Sequence, residues 1–121
     1  LKALLDESVP KAVARLLGER ALDASKFPND WKGLRNGDLL RRLVEKGYDC
    51  LITCDKNLLF QQSTRSLGIG IIVLPSQNVR ELQSIGGSIA AAYMQVRPGL
   101  PLIIRRDGGI TPFDIGRLQE K

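Results

Sequence analysis

Ile69-Gly70-Ile71-Ile72-Val73-Leu74, followed at once by Pro75-Ser76-Gln77-Asn78, is the stretch that decides the fold. A strand with one face in water alternates apolar and polar residues. An unbroken apolar run stopped by a turn signal instead marks a parallel strand covered on both faces. Parallel neighbours need crossover connections, usually helices, and the flanking sequence has that spacing. Downstream, Pro75-Ser76-Gln77-Asn78 predicts the start of a long helix with Leu82, Ile85, Ile89 and Tyr93 inward, interrupted at Gly86-Gly87-Ser88. Pro98-Gly99 breaks the chain, residues 100–105 read as a last strand, and the tail beyond about residue 107 has no assignable pattern.

Upstream, residues 50–53 predict a strand ending in Cys54-Asp55, followed by a short helix with Leu58, Leu59 and Phe60. A helix starting near Asp38 carries Leu39, Leu40, Leu43 and Val44 on one side and closes at Gly47. The Pro-, Asn-, Asp- and Gly-rich residues 27–37 read as a loop and 22–26 as a weak strand. Val9, Ala12, Val13, Leu16 and Leu17 recur at helical spacing, with Ser8 as cap and Pro10 in the first turn. Residues 2–5 form the first strand. The β-α-β-α-β-α-β-α-β order predicts one α/β domain over 1–121. It is a three-layer α/β/α sandwich, doubly wound around a mostly parallel sheet of about five strands with right-handed crossovers.

The chain has 121 residues, 43% hydrophobic and 26% charged, as in an ordinary soluble globule. Histidine is absent, which excludes Ser-His-Asp and Cys-His catalysis and most zinc chemistry. Two cysteines, Cys50 and Cys54, are too few for a disulfide scaffold and read as reduced thiols of a cytoplasmic protein. No apolar run approaches a bilayer span, and LKALLDESVP does not read as a secretory signal. The net charge of +5, from 18 Lys and Arg against 13 Asp and Glu, favours polyanionic partners.

In open parallel sheets, ligands bind beyond the carboxyl ends of the strands. Asp6 ends the first predicted strand, Asp55 ends the third, and Asp38 opens the second helix; Glu7 and Asn57 lie beside them. Gathered carboxylates repel one another unless a cation sits among them. Hard oxygens without histidine suit Mg²⁺ or Mn²⁺, which would serve hydrolysis of a phosphodiester. Helix capping accounts equally for Asp38, and turn chemistry for Asp55 with Asn57.

LLDESVP (4–10), NGDLL (36–40) and ITCDKN (52–57) together resemble the motifs of the PIN-like domain family. The resemblance runs on through the apolar fourth strand to the Ile103-Ile104-Arg105-Arg106 segment. It implies a metal-dependent endoribonuclease, the toxin of a VapC-type toxin–antitoxin pair, with RNA as substrate and a protein antitoxin as partner. Carried over by position, Asp6, Asp38 and Asp55 would be catalytic and hold Mg or Mn, with Asn57 where the family has a second Asp. That exchange removes one charge from the site and puts a second ion in doubt. The family's Gly-His before the second strand is also missing, Ala21-Leu22 standing there.

Lys11, Arg35 and Lys56 are candidate RNA-binding residues, with Arg41, Arg105 and Arg106 as further phosphate partners. Trp31 reads either as a base-stacking residue or as a core anchor. The Gly86-Gly87-Ser88 interruption reads either as core or as a partner or homodimer surface. Two other functions fit the residues. A phospho-accepting receiver domain would use Asp6-Glu7, Asp55 and Ser76, but lacks a Lys after the fifth strand. A catalytically weakened interaction module would have lost turnover through Asn57.

Overall fold

The computed structural model describes residues 1–60 and 67–113. Six strands form one sheet in the order β2-β1-β3-β4-β5-β6. They are β1 (Ala3–Leu5), β2 (Ala24–Ser25), β3 (Cys50–Thr53), β4 (Gly70–Val73), β5 (Leu102–Ile104) and β6 (Ile110–Pro112). The first five pair in parallel; β6 folds back antiparallel on β5 and covers its outer edge. The helices are α1 (Ala12–Gly18), α2 (Asn36–Glu45), α3 (Val79–Ser84) and α4 (Gly86–Gln95). Short 3-10 turns occupy Asn29–Trp31 and Lys56–Phe60.

The unbroken apolar runs are explained by burial on both faces. In β1, β3 and β4, Ala3, Leu5, Cys50, Ile52 and Ile72 face one core with α1, α3 and α4. Leu4, Leu51, Ile71 and Val73 face another, with α2 and both 3-10 turns. Every residue of these three strands is buried, so no position needs to be polar for solvent. The layered α/β sandwich expected from the sequence is therefore present, with six strands rather than five because the tail supplies β6. Positions 114–121 lie outside the described residues.

Four local expectations are corrected. The strand read over 22–26 shrinks to two residues. The first helix starts at Ala12 rather than at Pro10, because the Ser8 side chain is engaged elsewhere. The second starts at Asn36, so Asp38 is its third residue and not its opening one. The long helix breaks at Ile85, whose backbone (φ −112°, ψ 24°) leaves the helical region. Gly86 then lies against α1, where a Cβ would meet Leu16 Cδ1 at 3.1 Å. The glycine interruption serves close packing of α4 on α1, which gives it a core role.

The winding also departs from expectation. The connection β1→α1→β2 crosses the α1 face in one direction along the sheet. The connection β4→α3→α4→β5 crosses that same face in the opposite direction. These two crossovers have opposite hands, so they cannot both obey the right-handed rule.

Candidate functional site

The ends of β1 and β3 are tied together side by side. Leu5 stands opposite Ile52, and the next amide, Asp6 N–H, donates to Ile52 O at 2.8 Å. Thr53 is fully buried, so its hydroxyl needs partners inside the protein. It donates to Asp6 Oδ2 at 2.8 Å and accepts the Asp55 N–H at 3.0 Å. The Ser8 hydroxyl donates to the same Asp6 oxygen at 2.9 Å and accepts the Cys54 N–H at 3.2 Å. Gln77 Nε2, from the segment after β4, donates to Ser8 O at 3.0 Å. The Asp6 carboxylate thus ties together the ends of β1 and β3, its two hydroxyl donors converging on a single oxygen, and Gln77 joins the segment after β4 to them through Ser8 O.

Asp55 stands across Thr53 from Asp6. Its Oδ1 accepts the Asn57 N–H at 2.9 Å, the local turn expected of an Asp at a strand end. Beside it opens a cleft of about 470 Å³, with Asp55, Lys56, Ser76, Gln77 and Arg106 in its lining. Arg106 Nη1 reaches Glu81 Oε1 at 3.5 Å across one rim. Cys54, also in this lining, donates its thiol to Ser76 O at 3.4 Å. Burial raises its pKa above the ordinary thiol value, the Asp6 charge adds to that, and the Ser8 hydrogen bond opposes it. A protonated thiol is a poor ligand and nucleophile.

The other site candidates are dispersed. Asp38 pairs with Arg41 one turn along α2, with both side chains largely in solvent. Among the described residues no group of three or more Cys, Asp or Glu side chains is gathered closely enough to hold a metal ion. Asn57 and Lys56 are exposed, Lys56 in the cleft lining. Arg35 is the N-cap residue of α2, and Lys11 lines a second, smaller cleft. Trp31 is a core residue, 4% exposed, with the rings of Phe27 and Tyr48 edge-on at 6.3 Å each. No helix among the described residues is long and apolar enough to cross a membrane.

Sequence reading missed Ser8, Thr53 and Gln77 as parts of the site. Thr53 carried a signal, being the polar residue that closes the run Cys50-Leu51-Ile52. Ser8 carried the opposite one, since it sits where a helix cap belongs. In comparisons with family models, with curated proteins and with solved structures, none matches this chain.

Proposed function

We propose that this protein is a metal-dependent endoribonuclease of PIN-like type, cutting RNA phosphodiesters at the Asp6–Asp55 edge. The observation that carries the reading is the Thr53 bridge. It fixes two carboxylate residues at the ends of adjacent central strands, where open parallel sheets bind ligands. The toxin role, with its protein antitoxin, rests on the resemblance of LLDESVP, NGDLL and ITCDKN to that family.

The side chains offered at this edge are oxygen donors, the chemistry that suits a hard divalent ion. Mg²⁺ is commonly held by only one or two protein carboxylates, the rest of its shell being water and substrate phosphate. Asp6 and Asp55 would supply these two, and Asp38, tied to Arg41, is not needed for them. When bound, Mg²⁺ or Mn²⁺ would neutralise phosphate charge and allow water to attack near neutral pH. The chain's own groups do the positioning. Ser8 and Thr53 fix the Asp6 carboxylate by engaging Oδ2, while Lys56 and Arg106, in the lining of one cleft, offer cations to the phosphates on one side of the cut.

The receiver reading draws on one observation, that Asp55, Ser76 and Arg106 line a single cleft. The winding weighs against it. With right-handed crossovers throughout, the order 2-1-3-4-5 would put the β4–β5 helices opposite α1, and here they share its face. Two assays decide. Mn²⁺-dependent cleavage of mixed RNAs is expected for the wild type and lost in Asp6→Asn and Asp55→Asn, with thermal unfolding still cooperative. Undiminished cleavage by both variants refutes the nuclease. A stable mass gain with acetyl phosphate and Mg²⁺, lost in Asp55→Asn, would establish the receiver instead.

A further inference from the structure

A second cleft, of about 170 Å³, opens at the carboxyl ends of β1 and β2, on the far side of Asp6 from the first. Three lysines from separate segments line it: Lys11 before α1, Lys26 after β2, and Lys32 after the first 3-10 turn. Their charge is set against one carboxylate, Glu7, and none of the three is in an ion pair with a described residue. Unpaired cations converging on a concave surface raise the local concentration of anions. Phe27, half-buried in the same lining, adds an aromatic ring beside the lysines. Cations that track a backbone, with an aromatic ring for bases, are what single-stranded nucleic acid binds.

The two clefts lie on either side of the Asp6–Asp55 edge. From β2 to β5 the sheet advances four strand spacings, about 20 Å. At about 3.4 Å per stacked nucleotide, that edge accommodates about six nucleotides. We propose that the Lys11–Lys26–Lys32 cleft is a backbone-binding subsite that holds single-stranded RNA on one side of the cut, while Lys56 and Arg106 hold it on the other. This inference rests on the ribonuclease reading above and adds to it a substrate form, an unpaired strand spanning both clefts.

The test is fluorescence anisotropy with a labelled, nuclease-resistant 2′-O-methyl hexauridylate in Mg²⁺, titrated at several salt concentrations. Each phosphate contact on a single strand contributes about 0.7 to the slope of log affinity against log salt. Lys26→Ala/Lys32→Ala is therefore expected to bind more weakly and to lower the slope by about 1.4, and Lys26→Arg/Lys32→Arg to retain both. A labelled diuridylate, too short to reach both clefts, should respond little to the double alanine change. Lys46→Ala/Arg97→Ala, at the opposite end of the sheet, is expected to leave the slope unchanged. If the double alanine variant binds the hexamer with wild-type affinity and slope, the subsite is refuted and the ribonuclease reading stands. If the wild type binds no hexamer, both fall together.

Discussion

Replacing Thr53 by valine removes one hydroxyl from the centre of the site while keeping the β-branched shape of the side chain. Thr53 is 0% exposed, so no water can take the place of the lost group without opening the core. Two hydrogen bonds disappear, one donated to the Asp6 carboxylate at 2.8 Å and one accepted from the Asp55 amide at 3.0 Å. A bond to a charged group contributes about 1.5–3 kcal/mol and a neutral one about 1. Asp6 is only half-buried and keeps its Ser8 donor, which moderates the loss to about 2 kcal/mol in all. For a chain of 121 residues, unfolding entropy of about 2.1 cal/mol/K per residue turns this into a fall in Tm of about 8 °C. Thermal unfolding followed by circular dichroism reads it directly. Thr53→Ser supplies the comparison, since it keeps the hydroxyl and gives up one methyl, about 1 kcal/mol. In the cleavage assay, Thr53→Val should lower kcat more than it raises KM, because it positions Asp6 rather than contacting RNA. A valine variant as stable and as active as the wild type would refute the bridge.

Trp31→Ala should cost about 3–5 kcal/mol in urea unfolding, as expected for a large aromatic removed from a core. A small stability loss with a large loss of RNA affinity would return Trp31 to base stacking. Asp38→Asn, on an exposed ion pair, should change stability by less than about 0.5 kcal/mol and leave Mn²⁺ affinity close to wild type, where Asp6→Asn should weaken it; equal losses in a calorimetric titration would restore Asp38 to the metal site. Cys50 is buried, and burial, helped by the Asp49 charge, raises its pKa from 9.0 to about 12. Below pH 9 the thiol is protonated in both states and its contribution to stability is complete. Between pH 9 and about 12 only the unfolded chain loses the proton, so stability falls as pH rises. At 1.36 kcal/mol per unit, the loss by pH 11 is on the order of 2.7 kcal/mol. Urea unfolding of Cys50→Ala should show an alkaline limb shallower by that amount, and parallel limbs would refute the assignment.

The parts of the fold legible in the sequence are those fixed by local burial. The runs Leu4-Leu5, Leu51-Ile52 and Ile71-Ile72-Val73 announce central strands because both of their faces are covered, leaving no polar alternation to compete. The apolar face of α2 is equally plain from Leu39, Leu40 and Leu43. The placement of Asp6 and Asp55 at neighbouring strand ends follows from strand order, a step the alternation of elements supports. What was hidden depends on partners remote in the chain. Ser8 carries every local mark of a helix cap, yet its hydroxyl is drawn to Asp6 and to Cys54, 46 residues away. Trp31 sits among loop formers, and it becomes core only through partners remote in the chain, Leu4, the leucines of α2 and the Tyr48 ring. Asp38 looks the same whether it faces a metal or its own helix, because an acid in a first turn is favoured by the helix dipole in both cases.

The opposite hands of the β1–β2 and β4–β5 connections have consequences for the site. Placing α3 and α4 on the α1 face concentrates helical cover there, with α4 drawn in through Gly86 and anchored by the Tyr93 hydroxyl on Leu1 O and Asp23 O. On the opposite face, Val73 and Ile103 are covered in part by Leu58, Leu59 and Phe113, and Phe60 stays 59% exposed against the Phe113 ring. The segment leaving β4 must turn toward α3 directly over the end of β1, which is how Gln77 comes within reach of Ser8 O. In a regularly wound sheet that segment would turn away, toward α2. The web that fixes Asp6 is therefore a product of this winding, and Gln77 links the topology to the chemistry. Gln77→Ala removes the link without touching either carboxylate. It should loosen the Ser8–Asp6 arm and lower cleavage while Thr53 keeps Asp55 in place, at a stability cost of only about 0.5 kcal/mol because the bond is exposed and water replaces it. Cleavage by Gln77→Ala at the wild-type rate would show that the winding and the site are independent.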